Sequence, residues 1–158
     1  MDDWRQDRLG AAERGVNPLV LARLPSGFAV IGDTQFLPGY CLLLASPRVG
    51  ELDDLPYGRR LDFLRDMSLL GEAVRQVCRP IRMNYEIFGN ADPFLHAHVL
   101  PRYSWEPLEN LHAPVSHYPR EQRFAPEHIF SEGVHGELKQ RITAALLDLM
   151  DRRGICPA

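Results

Sequence analysis

The run Phe94-Leu95-His96-Ala97-His98-Val99-Leu100-Pro101-Arg102-Tyr103 most narrows what this chain can fold into. Its apolar residues are continuous enough for a buried strand, yet they enclose two of the chain's six histidines, two positions apart. Successive side chains of a strand point to opposite faces, so His96 and His98 share one face with Phe94, Leu100 and Arg102. Leu95, Ala97 and Val99 take the other face and suit packing against a helix. At a rise of about 3.3 Å per residue the two histidine Cα atoms lie roughly 7 Å apart. Two imidazoles at that spacing can hold one small tetrahedral group between them.

The surrounding pattern supplies a sheet for this strand. Upstream, Ile81, Met83, Tyr85 and Ile87 alternate with Arg82, Asn84 and Glu86, which reads as a half-buried strand. Residues 89–93, Gly-Asn-Ala-Asp-Pro, form a turn signal, so the two strands make a hairpin. Leu61, Leu64, Met67, Leu70, Val74 and Val77 recur at helical spacing and predict a long helix over 57–78, with Asp53 or Asp54 as its N-cap and Pro80 beyond its end. Residues 19–24 and 28–31 read as a hairpin around Pro25-Ser26-Gly27, and the apolar run 40–45 as a central strand buried on both faces. Residues 2–14 suggest a short helix ended by Gly15. Residues 137–151 suggest a C-terminal helix with Leu138, Ile142, Ala145, Leu146 and Leu149 on one stripe. The expected fold is therefore α+β: an antiparallel sheet of about five strands, a long helix on one face, and a helix at each terminus. Between them, 104–133 has no period and exceeds ordinary connection lengths, so it is either functional or draped over the surface.

A length of 158 residues suits one domain, 1–158, with its motif-bearing part at about 17–103 and a loop and helix over 104–158. A formal charge of −3 and a pI near 6.1 argue against a general nucleic-acid binder, while leaving room for a local basic pocket. Cys41, Cys78 and Cys156 are scattered and odd in number, which points to a reducing cytoplasm rather than a disulfide framework. The charged start, Met1-Asp2-Asp3-Trp4-Arg5, does not resemble a signal peptide, and no run approaches the ~18 apolar residues of a membrane span.

Three chemistries fit His96 and His98. They can be partly buried structural histidines. They can chelate zinc, which requires further ligands such as His112 or His117 folding back, giving a metal-dependent phosphohydrolase. Or a neutral imidazole can serve as a nucleophile, with its neighbour as hydrogen-bond donor or general acid.

The flanking residues favour the last. His96-Ala97-His98-Val99-Leu100-Pro101-Arg102 resembles the signature of the histidine triad family, His-x-His-x-His followed by two apolar residues and often Pro-Arg. His96 matches the middle histidine and His98 the last, while Phe94 stands in place of the first. The segment Gly32-Asp33-Thr34-Gln35-Phe36-Leu37-Pro38-Gly39-Tyr40 is similar to the family's Asp…Pro-Gly-His stretch, with Tyr40 replacing that histidine. The resemblance covers about residues 28–103. It implies a nucleotide hydrolase or transferase acting at the α-phosphate, and a branch resembling diadenosine tetraphosphate hydrolases. It also implies a homodimer pairing through residues near 57–78 and 81–89. By the same resemblance His96 is the nucleophile and His98 its partner. Asp33 reads the ribose hydroxyls, Asn84 and Asn90 touch phosphate, and Arg102 matches the Pro-Arg. No cofactor is implied, although a divalent cation such as Mg can accompany the substrate. Phe94 cannot hydrogen-bond. Either a backbone carbonyl orients His96, or activity is weak and the protein is a nucleotide-binding module without turnover. Phe28, Ile31, Leu37 and Leu42 read as core, with one or two able to clasp a base.

Overall fold

The computed structural model describes residues 3–158; Met1 and Asp2, the latter the first residue of the expected 2–14 helix, lie outside the described residues. Five strands, β1 (Val20–Leu24), β2 (Gly27–Ile31), β3 (Cys41–Ala45), β4 (Arg82–Glu86) and β5 (His96–Arg102), form one antiparallel sheet in the order β1-β2-β3-β5-β4. The central position of β3 agrees with its apolar run, and β5 beside it is buried for the same reason. The first helix, α1 (Arg8–Glu13), is shorter than expected: Asp7 caps it by accepting from the Gly10 N–H, so the chain before Asp7 turns instead of continuing the helix.

The long helix α2 (Tyr57–Cys78) has the predicted bounds and lies with the C-terminal helix α5 (Glu132–Arg152) on one face of the sheet. Its buried stripe differs from the predicted one. Phe63, Leu70, Ala73 and Val74 face the core, whereas Leu61 and Leu64 are exposed. Asp66 is fully buried in that stripe because its carboxylate accepts the Ser26 N–H at 2.9 Å and so secures the β1–β2 turn. A buried carboxylate with such partners outweighs the apolar count that periodicity reads. Nor do Asp53 and Asp54 cap α2. Pro56 occupies the N-cap, and Asp54 instead accepts from the Gly50 and Glu51 N–H groups at 3.0 and 3.1 Å.

Leu95, Ala97 and Val99 of the β5 region point into this helix-covered core, as their alternation predicts. The opposite face carries Leu42, Leu44, His96 and His98, since Leu42 pairs with His98 and Leu44 with His96 across the ladder. Part of that face is covered by the 104–133 segment. This segment is a strap of short pieces: α3 (Leu108–Leu111), α4 (Arg120–Arg123) and 3₁₀ turns at Val115–His117 and Pro126–His128. A second small core of Phe36, Leu37, Leu100, Val115 and Tyr118 joins strap to sheet.

Candidate active site

The uncovered part of that sheet face opens into a cavity of about 550 Å³ lined by His96, His98, Asp33, Tyr40, Leu42 and Leu44, among others. β5 brings the two imidazoles into contact, with ring centroids 5.0 Å apart and planes at 68°. His96 is buried and its Nδ1 lies 2.8 Å from the Phe94 carbonyl oxygen. A carbonyl oxygen only accepts, so His96 donates from Nδ1, and in the neutral ring the lone pair is then on Nε2.

His98 has the opposite arrangement. Tyr40 Oη lies 2.6 Å from His98 Nδ1. Burial pushes the Tyr40 hydroxyl well above its ordinary pKa, so it stays protonated. A phenol O–H is a stronger donor than a neutral imidazole N–H and the ring nitrogen the better acceptor, which assigns Tyr40 as donor and Nδ1 as acceptor. Burial, then the neighbouring His96 and Arg123, hold His98 down from its ordinary 6.5 to about 4, so the ring is neutral near pH 7. With Nδ1 accepting, the single ring proton sits on Nε2. The two histidines therefore present one lone pair and one N–H donor.

Asp33 also lines the cavity, and its carboxylate is bound by the Arg8 guanidinium from α1. Asn84, Asn90 and Arg102 do not line it. Asn90 is exposed on the turn before β5. Arg102 points the same way as the histidines but is only 2% exposed, locked between Glu106 (3.0 Å), the Asn84 side chain (2.9 Å) and the carbonyls of Asn110 (2.6 Å) and Ala113 (2.9 Å). Arg102, expected to bind substrate as the Pro-Arg of the motif, and Asn84, expected to touch phosphate, are bonded to each other outside the cavity. They tie the strap to β4 and β5, because a buried guanidinium must satisfy its five N–H donors. Phe28, Ile31 and Leu37 are buried, and Leu42 faces the cavity.

No protein-family model matches the sequence, and no curated protein matches it. Solved structures do match. A histidine triad protein from Sinorhizobium meliloti superimposes with a TM-score of 0.70 at 17% identity, over 92% of this chain and 96% of the other. The fold is that of the histidine triad proteins. A hypothetical histidine triad nucleotide-binding protein from Sulfolobus tokodaii gives 0.69 at 11% identity, over 92% and 95%. A zinc-bound histidine triad family protein from Mycobacterium smegmatis gives 0.64 at 19%, over 90% and 94%. At such identities the likeness is one of fold.

Several residues of the histidine triad fold in this chain were hidden from sequence reasoning. Arg8, Arg48 and Arg120 line the cavity, and Arg123 lines an adjoining compartment with His98 and Tyr40. They come from three separate segments, so no spacing announces them. Among the described residues no three His, Cys, Asp or Glu side chains are grouped to hold a metal ion, and no helix is long and apolar enough to cross a membrane.

Proposed function

We propose that this protein is a histidine triad enzyme that cleaves nucleotides at the α-phosphate, with a dinucleoside polyphosphate such as diadenosine tetraphosphate as substrate. The observation that carries this reading is that His96 and His98 face one cavity with their Nδ1 atoms engaged by the Phe94 carbonyl and the Tyr40 hydroxyl, contacts that assign them opposed tautomers. The His96 Nε2 lone pair attacks the α-phosphorus. A P–N bond forms, the bridging P–O bond breaks, and the leaving phosphate departs with that electron pair. The Nε2–H of His98 donates a hydrogen bond to the bridging or a non-bridging oxygen as charge grows there. Water then attacks phosphorus, the P–N bond breaks, a proton passes to solvent, and His96 returns to its starting state with release of a mononucleotide. Asp33 reads the ribose, sharing its carboxylate with Arg8. The Phe94 carbonyl orients His96, which removes the need for a third imidazole and favours turnover over a binding-only module.

The test is a nucleotide panel followed by mononucleotide release, together with α-phosphorus-labelled substrate to trap an acid-labile nucleotidyl-histidine. His96→Ala should abolish the adduct and lower kcat by on the order of 10³-fold or more, with binding much less affected. Wild-type kcat in that variant would exclude the mechanism. The same reading includes a homodimer through residues near 57–78 and 81–89, where Leu61, Ile81 and Tyr85 are exposed; light scattering giving the mass of one chain at micromolar concentration would remove it.

A further inference from the structure

The cations around the cavity fall into two sets. Arg5, Arg8 and Arg48 have carboxylate partners, Asp3, Asp33 and Asp7. Arg120 and Arg123, one helical turn apart on α4 of the strap, have no ion pair and no side-chain hydrogen bond among the described residues; Nε of Arg123 is buried without any partner. Both guanidiniums lie over the Phe124 ring, 5.0 and 5.9 Å from its centroid. Phe124 lines the main cavity together with Arg120, and also the adjoining compartment of about 190 Å³ that Arg123 shares with His98 and Glu86.

Their placement is held by backbone. The Thr34 hydroxyl donates to the Arg123 carbonyl, the Gln35 N–H to the His128 carbonyl at 2.7 Å, and the Phe130 N–H to the Asp33 carbonyl at 2.8 Å. The strap is thereby clamped to the residues that immediately follow Asp33. The positive charge of Arg123 is felt at His98, Tyr40 and Glu86. Of the acids nearby, Asp33 and Asp7 are taken by Arg8 and Arg48, while Glu86, opposite His98 across β4 and β5, and Asp92, which lines the cavity, are not paired with these arginines. Two unpaired cations, Arg120 in the cavity of His96 and Arg123 in the adjoining compartment of His98, suit an anion longer than a single phosphate.

Resting on the proposed reaction at His96, we infer that Arg120 and Arg123 bind the phosphates beyond the α-phosphate, so that the site selects nucleotides bearing two or more phosphates over nucleoside monophosphates. The strap is then a phosphate-chain reader and not merely a surface covering.

Calorimetry with AMP and with α,β-methylene-ATP, whose α–β bridge cannot be cleaved, tests this. The wild-type protein should bind the triphosphate analogue at least about tenfold more tightly than AMP, the scale of one or two charge-assisted contacts. An Arg120→Gln, Arg123→Gln double variant should lose most of that difference, with AMP affinity changed much less. Arg120→Gln alone, at an exposed position, should lose part of it and guards against misfolding of the double variant. An unchanged preference in both variants, or equal wild-type affinity for the two ligands, would overturn the inference while leaving the reaction at His96 intact. Binding of neither ligand by the wild type would overturn the nucleotide reading itself, and this inference with it.

Discussion

The Tyr40 hydroxyl lies 2.6 Å from His98 Nδ1, and with the phenol as donor this bond sets which nitrogen of His98 carries the N–H toward the cavity. The two rings stack with centroids 6.0 Å apart and planes within 10°. Gly32 makes the approach possible, since a Cβ there would lie 2.5 Å from the Tyr40 ring. Tyr40→Phe should release the tautomer. A drop in kcat of about 10- to 100-fold is expected, the scale of a lost hydrogen-bonding role in acid–base catalysis, with a smaller change in KM. Nitrogen NMR of the His98 ring is the decisive readout: the Nδ1 and Nε2 signals should show a mixture of tautomers in the variant. Gly32→Ala should produce the same spectral change. A single unchanged tautomer in Tyr40→Phe would end this assignment.

Acid should weaken the fold through His98. Its pKa is lowered on folding from 6.5 to about 4, so between those values the unfolded chain binds the extra proton. The stability tied to a neutral His98 is complete above about 6.5 and is lost as pH falls to about 4. Denaturant unfolding of the wild type and of His98→Gln at pH 7.5 and 4.5 isolates the contribution. The wild type should lose on the order of 1–3 kcal/mol more than the variant over that interval. Glu86, whose carboxyl is raised by burial, acts in the opposite sense in both proteins and cancels in the difference.

Phe94→His should not raise the rate. The first imidazole of a triad would position His96, but here the Phe94 carbonyl already does so at 2.8 Å, and substitution leaves that carbonyl in place. We expect kcat within about twofold of wild type, below about 0.5 kcal/mol in the barrier. The Phe94 ring also carries the Arg48 guanidinium 5.0 Å from its centroid, and losing this contact should cost about 0.5–1 kcal/mol of stability. Paired kcat and melting measurements decide it. A tenfold gain in rate would show that the carbonyl alone is an inadequate orienter.

Glu106→Ala should be among the most damaging changes outside the cavity. The Glu106 side chain is fully buried and accepts from Arg102 at 3.0 Å, from Tyr118 at 2.8 Å and from the Tyr103 N–H at 2.7 Å. Its removal strands a buried guanidinium, which typically costs about 3–5 kcal/mol. Chemical denaturation gives the cost directly; a loss under about 1 kcal/mol would mean that water readily replaces the carboxylate.

The sequence alone determined the sheet, the long helix and the shared face of His96 and His98. These follow from periods of two and 3.6 residues and from turn residues whose effects are local. It also made Asp33 a candidate through its setting, and the structure brings Asp33 to the same cavity as the histidines. Tertiary structure decided what depends on contacts between distant segments. Asp66 lies within the buried stripe of α2 because a turn forty residues earlier needs an acceptor. Arg102 was legible as an arginine beside the histidines, yet Glu106 and the strap carbonyls hold it away from the cavity. Tyr40 looked like a lost histidine, and only the β3–β5 pairing sets its hydroxyl against His98. The tautomers, the pairing of Arg8 and Arg48, and the unpaired state of Arg120 and Arg123 arise where separate segments converge, and no local period encodes that convergence.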